Sequence, residues 1–154
     1  MIRGFLLAVV GLWLLAVGAP AGAGETIVGT LHIAQPRLRL PPRGTPITAG
    51  YLTVTNKGTE PDRLLGATAA IAGKIEIHEM KMDGAMMHMR ALAAGLPIAS
   101  GETITLKPGS YHLMVMGLKA PLEAGRPVKI TLLFEKAGAA EIEFAVEPIG
   151  SMGH

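Results

Sequence analysis

The stretch His78–Met89 reads HEMKMDGAMMHM, and twelve residues hold two of the chain's five histidines and five of its nine methionines. Asp83-Gly84 lies near its centre, flanked by residues of strand type. Asp-Gly in that setting is a strong signal for a two-residue hairpin turn. With the turn on Asp83-Gly84, Met82 faces Ala85, Met80 faces Met87 and His78 faces Met89. Side chains alternate along a strand, and directly opposed residues share a face. His78, Met80, Met87 and Met89 therefore fall on one face, and Glu79, Lys81, Met86 and His88 on the other. A slip of one residue would dissolve this grouping.

Imidazole with thioether is a narrow chemical combination. Thioether sulfur is soft and uncharged, suiting Cu(I) and offering little to hard ions such as Mg²⁺ or Ca²⁺. Methionines also fill cores and make adaptable protein-binding surfaces. The alternating spacing of His and Met favours a soft-metal site. A second alternating stretch, Tyr111-His112-Leu113-Met114-Val115-Met116, puts His112, Met114 and Met116 on one strand face. If both stretches meet, His78, Met89, His112 and Met114 form an N₂S₂ set. Met80, Met87 and Met116 are then spare thioethers for uptake, release or a second ion, and Met116 serves equally well as a core residue.

Outward from these stretches the chain reads as all β. Residues 1–23 have the form of a secretory signal peptide, with Arg3, the apolar run Phe5–Val17 and the A-x-A site Ala21-Gly22-Ala23. With no cysteine after the apolar run, no lipid anchor is expected. Cleavage near Ala23 leaves residues 24–154 as one exported, periplasmic domain without a membrane anchor, and Trp13 departs with the peptide. Removing Arg3 takes Lys+Arg from 14 to 13 against 12 Asp+Glu, so the domain is almost neutral. No basic run or basic-aromatic platform suggests nucleic acid. The absence of cysteine rules out disulfides, thiolate metal sites and thiol redox chemistry.

Strands are expected over Thr26–Ala34, Gly50–Asn56, Asp62–Ala67, Lys74–Met82, Ala85–Ala91, Thr103–Lys107, Ser110–Met116, Pro127–Glu135 and Glu141–Glu147. Pro36–Gly44 reads as a Pro-rich basic loop, most simply a solvated connection. Pro108-Gly109 and Lys136-Ala137-Gly138 read as turns of a second and a third hairpin. Regular short strands with turn signals and no long amphipathic helix predict a single-domain Greek-key β-sandwich or barrel. Residues 150–154 read as a frayed tail carrying Met152 and His154. His88 is expected to pair with Glu79, and His32 to be structural.

These residues carry a resemblance. The chain is similar to the periplasmic copper chaperones of the PCuAC family, whose pattern is His, ten residues, Met, twenty-one residues, then His-x-Met. His78 and Met89 match the first pair, and His112-Leu113-Met114 matches the last element. Arg90–Tyr111 holds 22 residues, one more than the pattern, and reads as a loop insertion around Ala91–Gly101. AGYLTVTNKG, DRLLGA, IEIHEMKM, LKPGSYHLMVMGLK and LLFEKAG also look like the family. The resemblance implies a cupredoxin-like fold that binds Cu(I) through His78, Met89, His112 and Met114. It implies delivery to the Cu_A centre of cytochrome c oxidase, alongside Sco-type proteins; the chain itself is expected to be a monomer and not an enzyme. In some relatives a Met/His-rich extension binds further copper, including Cu(II). The competing reading from the residues alone is an exported protein-binding module with a Met-rich docking surface. An enzyme is third, because no nucleophile-base set and no paired carboxylates stand out.

Overall fold

The computed structural model describes residues 24–151. The signal-peptide reading and the tail residues Met152 and His154 lie outside them. Among the described residues there are eleven strands and, at the end, one 3₁₀ turn over Ile149–Ser151. No helix there is long and apolar enough to cross a membrane.

The strands are β1 (Thr26–Val28), β2 (Leu31–Arg39), β3 (Ile47–Asn56), β4 (Asp62–Thr68), β5 (Ala72–Asp83), β6 (Met86–Ala91), β7 (Leu96–Ile98), β8 (Thr103–Leu106), β9 (Tyr111–Leu118), β10 (Val128–Phe134) and β11 (Gly138–Glu147). Seven of them form a closed ring in the order β2-β11-β10-β4-β5-β9-β3, sealed by the β2–β3 pairing. The remaining four are appended: β1 to β2, β6 to β5, β7 to β4 and β8 to β3. Neighbours are antiparallel except β11 and β2, which run parallel. The all-β expectation therefore holds in its barrel form, since closure leaves one continuous sheet in place of two.

Alternation along the strands fills the barrel. Leu31, Ile33 and Leu38 of β2, Leu52 and Val54 of β3, and Leu113 and Val115 of β9 point inward and are buried. Ile130, Leu132, Ile142, Phe144 and Val146 complete the other wall. Each such side chain contributes about 1.5–3 kcal/mol by leaving water. With no disulfide among these residues, that packing carries the fold.

Four local expectations are corrected. The first strand is broken by a turn at Gly29-Thr30, and its continuation β2 runs on into the segment expected as a Pro-rich loop. Pro36 is tolerated there because it sits in a register irregularity between Ala34 and Arg37, beside Gln35 at φ 52°, where a missing N–H breaks no rung. The span expected as a loop around Ala91–Gly101 contains β7, whose Pro97 pairs opposite Arg63 on an appended strand. Three residues centred on proline carry almost no strand pattern.

Pro108-Gly109 is not the turn of a hairpin. β8 pairs with Leu52–Thr55 and β9 with Ile47–Gly50, both antiparallel to β3. The two are successive segments of one line along the same edge. Lys107–His112 face the single residue Tyr51, so Lys107–Ser110 is looped out of that line. The loop is closed by hydrogen bonds from Lys107 N to Tyr111 O (2.9 Å) and from Ser110 N to Lys107 O (3.1 Å). The third expected hairpin, β10–β11, forms with its turn one residue earlier, over Glu135–Ala137, because Gly138 already pairs with Phe134 as the first residue of β11.

Candidate metal centre

The His/Met stretch forms a hairpin, with its turn displaced by one residue. Asp83 pairs with Met86, leaving Gly84-Ala85 as the central residues. Gly84 has φ 60°, the conformation a two-residue turn asks of glycine in its first central position. Met82 thus faces Met87, Met80 faces Met89, and His78 faces Ala91, where the sequence led us to expect Met89 opposite His78. The displacement changes each partner by two positions, so side-chain parity survives. His78, Met80, Met82, Met87 and Met89 share one face.

β5 continues past the hairpin and pairs with β9, which brings in the second cluster. His78 lies directly opposite His112, and Glu76 opposite Met114. The imidazole centroids are 5.7 Å apart, with the rings inclined at 58°. All four expected donors, His78, Met89, His112 and Met114, therefore belong to one face of the β6–β5–β9 sheet, away from the Ile75, Ile77, Leu113 and Val115 core. Met116 shares this face next to Lys74 and opposite Ile47 of β3.

Each imidazole has one nitrogen committed. His78 Nε2 lies 2.9 Å from Glu76 Oε2, and His112 Nδ1 lies 3.3 Å from the Ser110 carbonyl oxygen. Both oxygens can act only as acceptors toward these rings, so those nitrogens carry the hydrogens. With one hydrogen on each ring, the lone pairs sit on His78 Nδ1 and His112 Nε2. His78 Nδ1 is buried and has no hydrogen-bond partner. An unpaired buried nitrogen costs free energy unless something binds it. His112 is 4% exposed, and burial first of all pushes its pKa below the ordinary imidazole value, the His78 ring adding to the shift and the Ser110 hydrogen bond opposing it. It stays neutral and able to coordinate.

Glu76 was not singled out from the sequence. The alternation Glu76-Ile77-His78 places its carboxylate on the donor face, which was the available signal. Its carboxyl is held below the usual range by the hydrogen bond from His78 first and by contact with Lys74 next. Ser110 acts through its backbone and left no trace in residue type.

On the hairpin's other face the pairing differs from expectation. Glu79, 7% exposed, accepts from Arg90 Nε and Nη2, each at 2.7 Å, and Lys81 Nζ is 3.4 Å away. Arg90 is its direct register partner, whereas His88 faces Lys81. Arg90 lowers the Glu79 pKa most, with Lys81 assisting. His32 pairs with Glu25 at 3.0 Å, in keeping with a structural role.

The donor set suits a soft cation. Imidazole nitrogens and thioether sulfurs supply no anionic oxygen, and among the described residues no group of three or more His, Cys, Asp or Glu converges for a harder ion. The thioethers stand toward solvent, with Met82 63%, Met87 60% and Met89 46% exposed.

The family model described as "Putative lipoprotein LpqE-like" matches residues 31–146. A Leifsonia xyli subsp. xyli protein, "Putative lipoprotein Lxx21020", is 35% identical over 104 residues, covering 68% of this chain and 63% of that protein. A Rickettsia prowazekii protein, "Uncharacterized protein RP573", is 30% identical over 88 residues, covering 57% of this chain and 49% of that protein. The matched region thus spans less than two thirds of either relative. Among solved structures, the copper-bound PCuAC domain from PmoF2 superposes with a TM-score of 0.70 at 29% identity, over 81% of this chain and 98% of that one. The Cu(I) form of DR1885 from Deinococcus radiodurans gives 0.62 at 31% identity, over 82% and 83%. With the family model matched over well more than half its length, the chain belongs to the LpqE-like family, and its barrel is the cupredoxin-like fold of a PCuAC domain.

Proposed function

We propose that this chain is an exported copper carrier that binds Cu(I) through His78, Met89, His112 and Met114 and passes it to a receiving protein. The observation that carries the reading is the pair of register-matched imidazoles, each with one nitrogen tied and the other free. The buried, unpartnered Nδ1 of His78 is the donor most in need of a ligand. The likeness to solved PCuAC domains named as copper-bound supports the same metal.

The residues suggest how cargo would be held and released. Glu76 and the Ser110 carbonyl fix the ring tautomers, so the imidazoles need no reorganisation on binding. Neutral donors leave the ion its positive charge, and the exposed thioethers can be replaced one at a time by donors of an acceptor. A Cu_A site of cytochrome c oxidase, or a Sco-type protein that serves it, is the acceptor this chemistry fits. The leader-like residues 1–23 and the lipoprotein names of the relatives support a periplasmic setting.

The test is an anaerobic Cu(I) titration against a chromophoric chelator. One ion per chain should bind, and His78→Ala, His112→Ala, Met89→Leu and Met114→Leu should each weaken it by at least about tenfold, or 1.4 kcal/mol. Leu keeps most of the volume of Met, so those two variants should melt close to the parent. Affinity unchanged in all four would defeat the assignment.

A second reading rests on the exposure of Met82, Met86, Met87 and Met89, which could dock a protein partner without metal. It requires that partner binding survive both histidine substitutions and the removal of copper.

A further inference from the structure

The donor face is graded from solvent to interior. At the hairpin tip Met82 faces Met87, 63% and 60% exposed. One rung inward, half-buried Met80 faces Met89. The next inward rung on β5 is His78, whose side chain is 14% exposed, facing the buried His112 of β9. Directly opposed strand residues have Cβ atoms about 4.5–5.5 Å apart, close enough for two flexible thioethers to meet on one ion.

Two features argue that sulfur, not apolar surface, is what the tip presents. β6 pairs with β5 alone, leaving an open edge, and all six of its residues are exposed. Bare apolar side chains on such an edge invite aggregation, and strands of this kind are normally blunted with charge. The opposite face does carry charge, in Lys81, Asp83 and Arg90. The donor face carries methionine at four successive positions across two rungs, a concentration that core packing does not explain because the tip packs against no core.

We propose that Met82 and Met87 form an outer thioether station where Cu(I) is taken up and surrendered, with Met80 and Met89 linking it to the imidazole pair. This rests on the copper-carrier reading and adds a second, weaker binding position. Each transfer exchanges one neutral donor for another, with no change in oxidation state and no proton released. The ion meets soft donors in solvent first, and the two imidazoles retain it.

Met86 is an internal control, since it is 65% exposed on the same hairpin but on the other face. Stopped-flow transfer of Cu(I) from a chromophoric chelator should slow by at least about tenfold in Met82→Leu/Met87→Leu while the one-ion affinity persists. Met86→Leu should match the parent. With ¹³C-methyl methionine, the first equivalent of Cu(I) should move the Met89 and Met114 signals, and excess should move Met82 and Met87 but not Met86. Equal rates in the double variant and the control, with Met82 and Met87 signals stationary, would overturn the station while leaving the inner site intact. Movement at Met82 and Met87, with Met89 and Met114 silent and both histidine variants binding like the parent, would uphold the station and overturn the inner site. No movement at any of the four would overturn both.

Discussion

Glu76 decides which nitrogen of His78 is left without a partner. Its carboxylate accepts from Nε2, and the His78 hydrogen bond first and Lys74 next hold its carboxyl below the usual range. Partners of this kind fix ring orientation, and their loss costs metal sites about 10–100-fold in affinity. Glu76→Ala should therefore weaken Cu(I) binding by about that factor. The ¹⁵N spectrum should show His78 losing its single tautomer, a change that a merely structural role for Glu76 would not produce. At this scale the sequence showed that His78, Met89, His112 and Met114 would share one face, because alternation along a strand is read directly from position. It was silent on Ser110, whose contribution is a carbonyl oxygen that any residue could supply.

The hairpin β5–β6 is the element that lifts the thioethers into solvent. Its turn depends on Gly84, where φ is 60° and a Cβ would meet nothing within 4 Å. Crowding is therefore absent, and the cost of Gly84→Ala is the backbone conformation alone, about 1–2 kcal/mol. Because the tip packs against no core, that cost should appear as faster amide exchange over Met86–Met89, with little change in melting temperature. The element was legible from period-two alternation around Asp-Gly. Its register was not, since Asp83-Gly84 and Gly84-Ala85 are both sound turns and the choice moves every pair. The faces survived because the shift was even. Pro108-Gly109 misled for a related reason: a turn signal marks a change of direction locally, and here the turn is looped out between two strands that both run antiparallel to β3.

The whole barrel brings the two clusters together through the pairing of β5 with β9, elements separated in sequence by three short strands. Nothing in either strand names the other as its neighbour. Only closure of the ring, with β3 clasping β9 on its far side, sets that register. Turn residues marked nine of the strand segments where eleven strands form, but partner choice is a global property. β7, three residues long and built around Pro97, escaped notice for want of length.

The loop-out at Lys107–Ser110 separates two quantities that a motif treats as one. Ser110 O receives Met80 N at 3.2 Å, and His112 is indexed by its rung with His78, so the donors take their positions from neighbouring strands. The count of residues from Met89 to His112 measures contour length, not distance. Inserting one glycine between Pro108 and Gly109 should then leave Cu(I) affinity within about twofold, since lengthening a surface loop costs only a fraction of a kcal/mol. The length of a gap between two stretches is then set by the loops that join them, and the rungs of the sheet decide which residues meet.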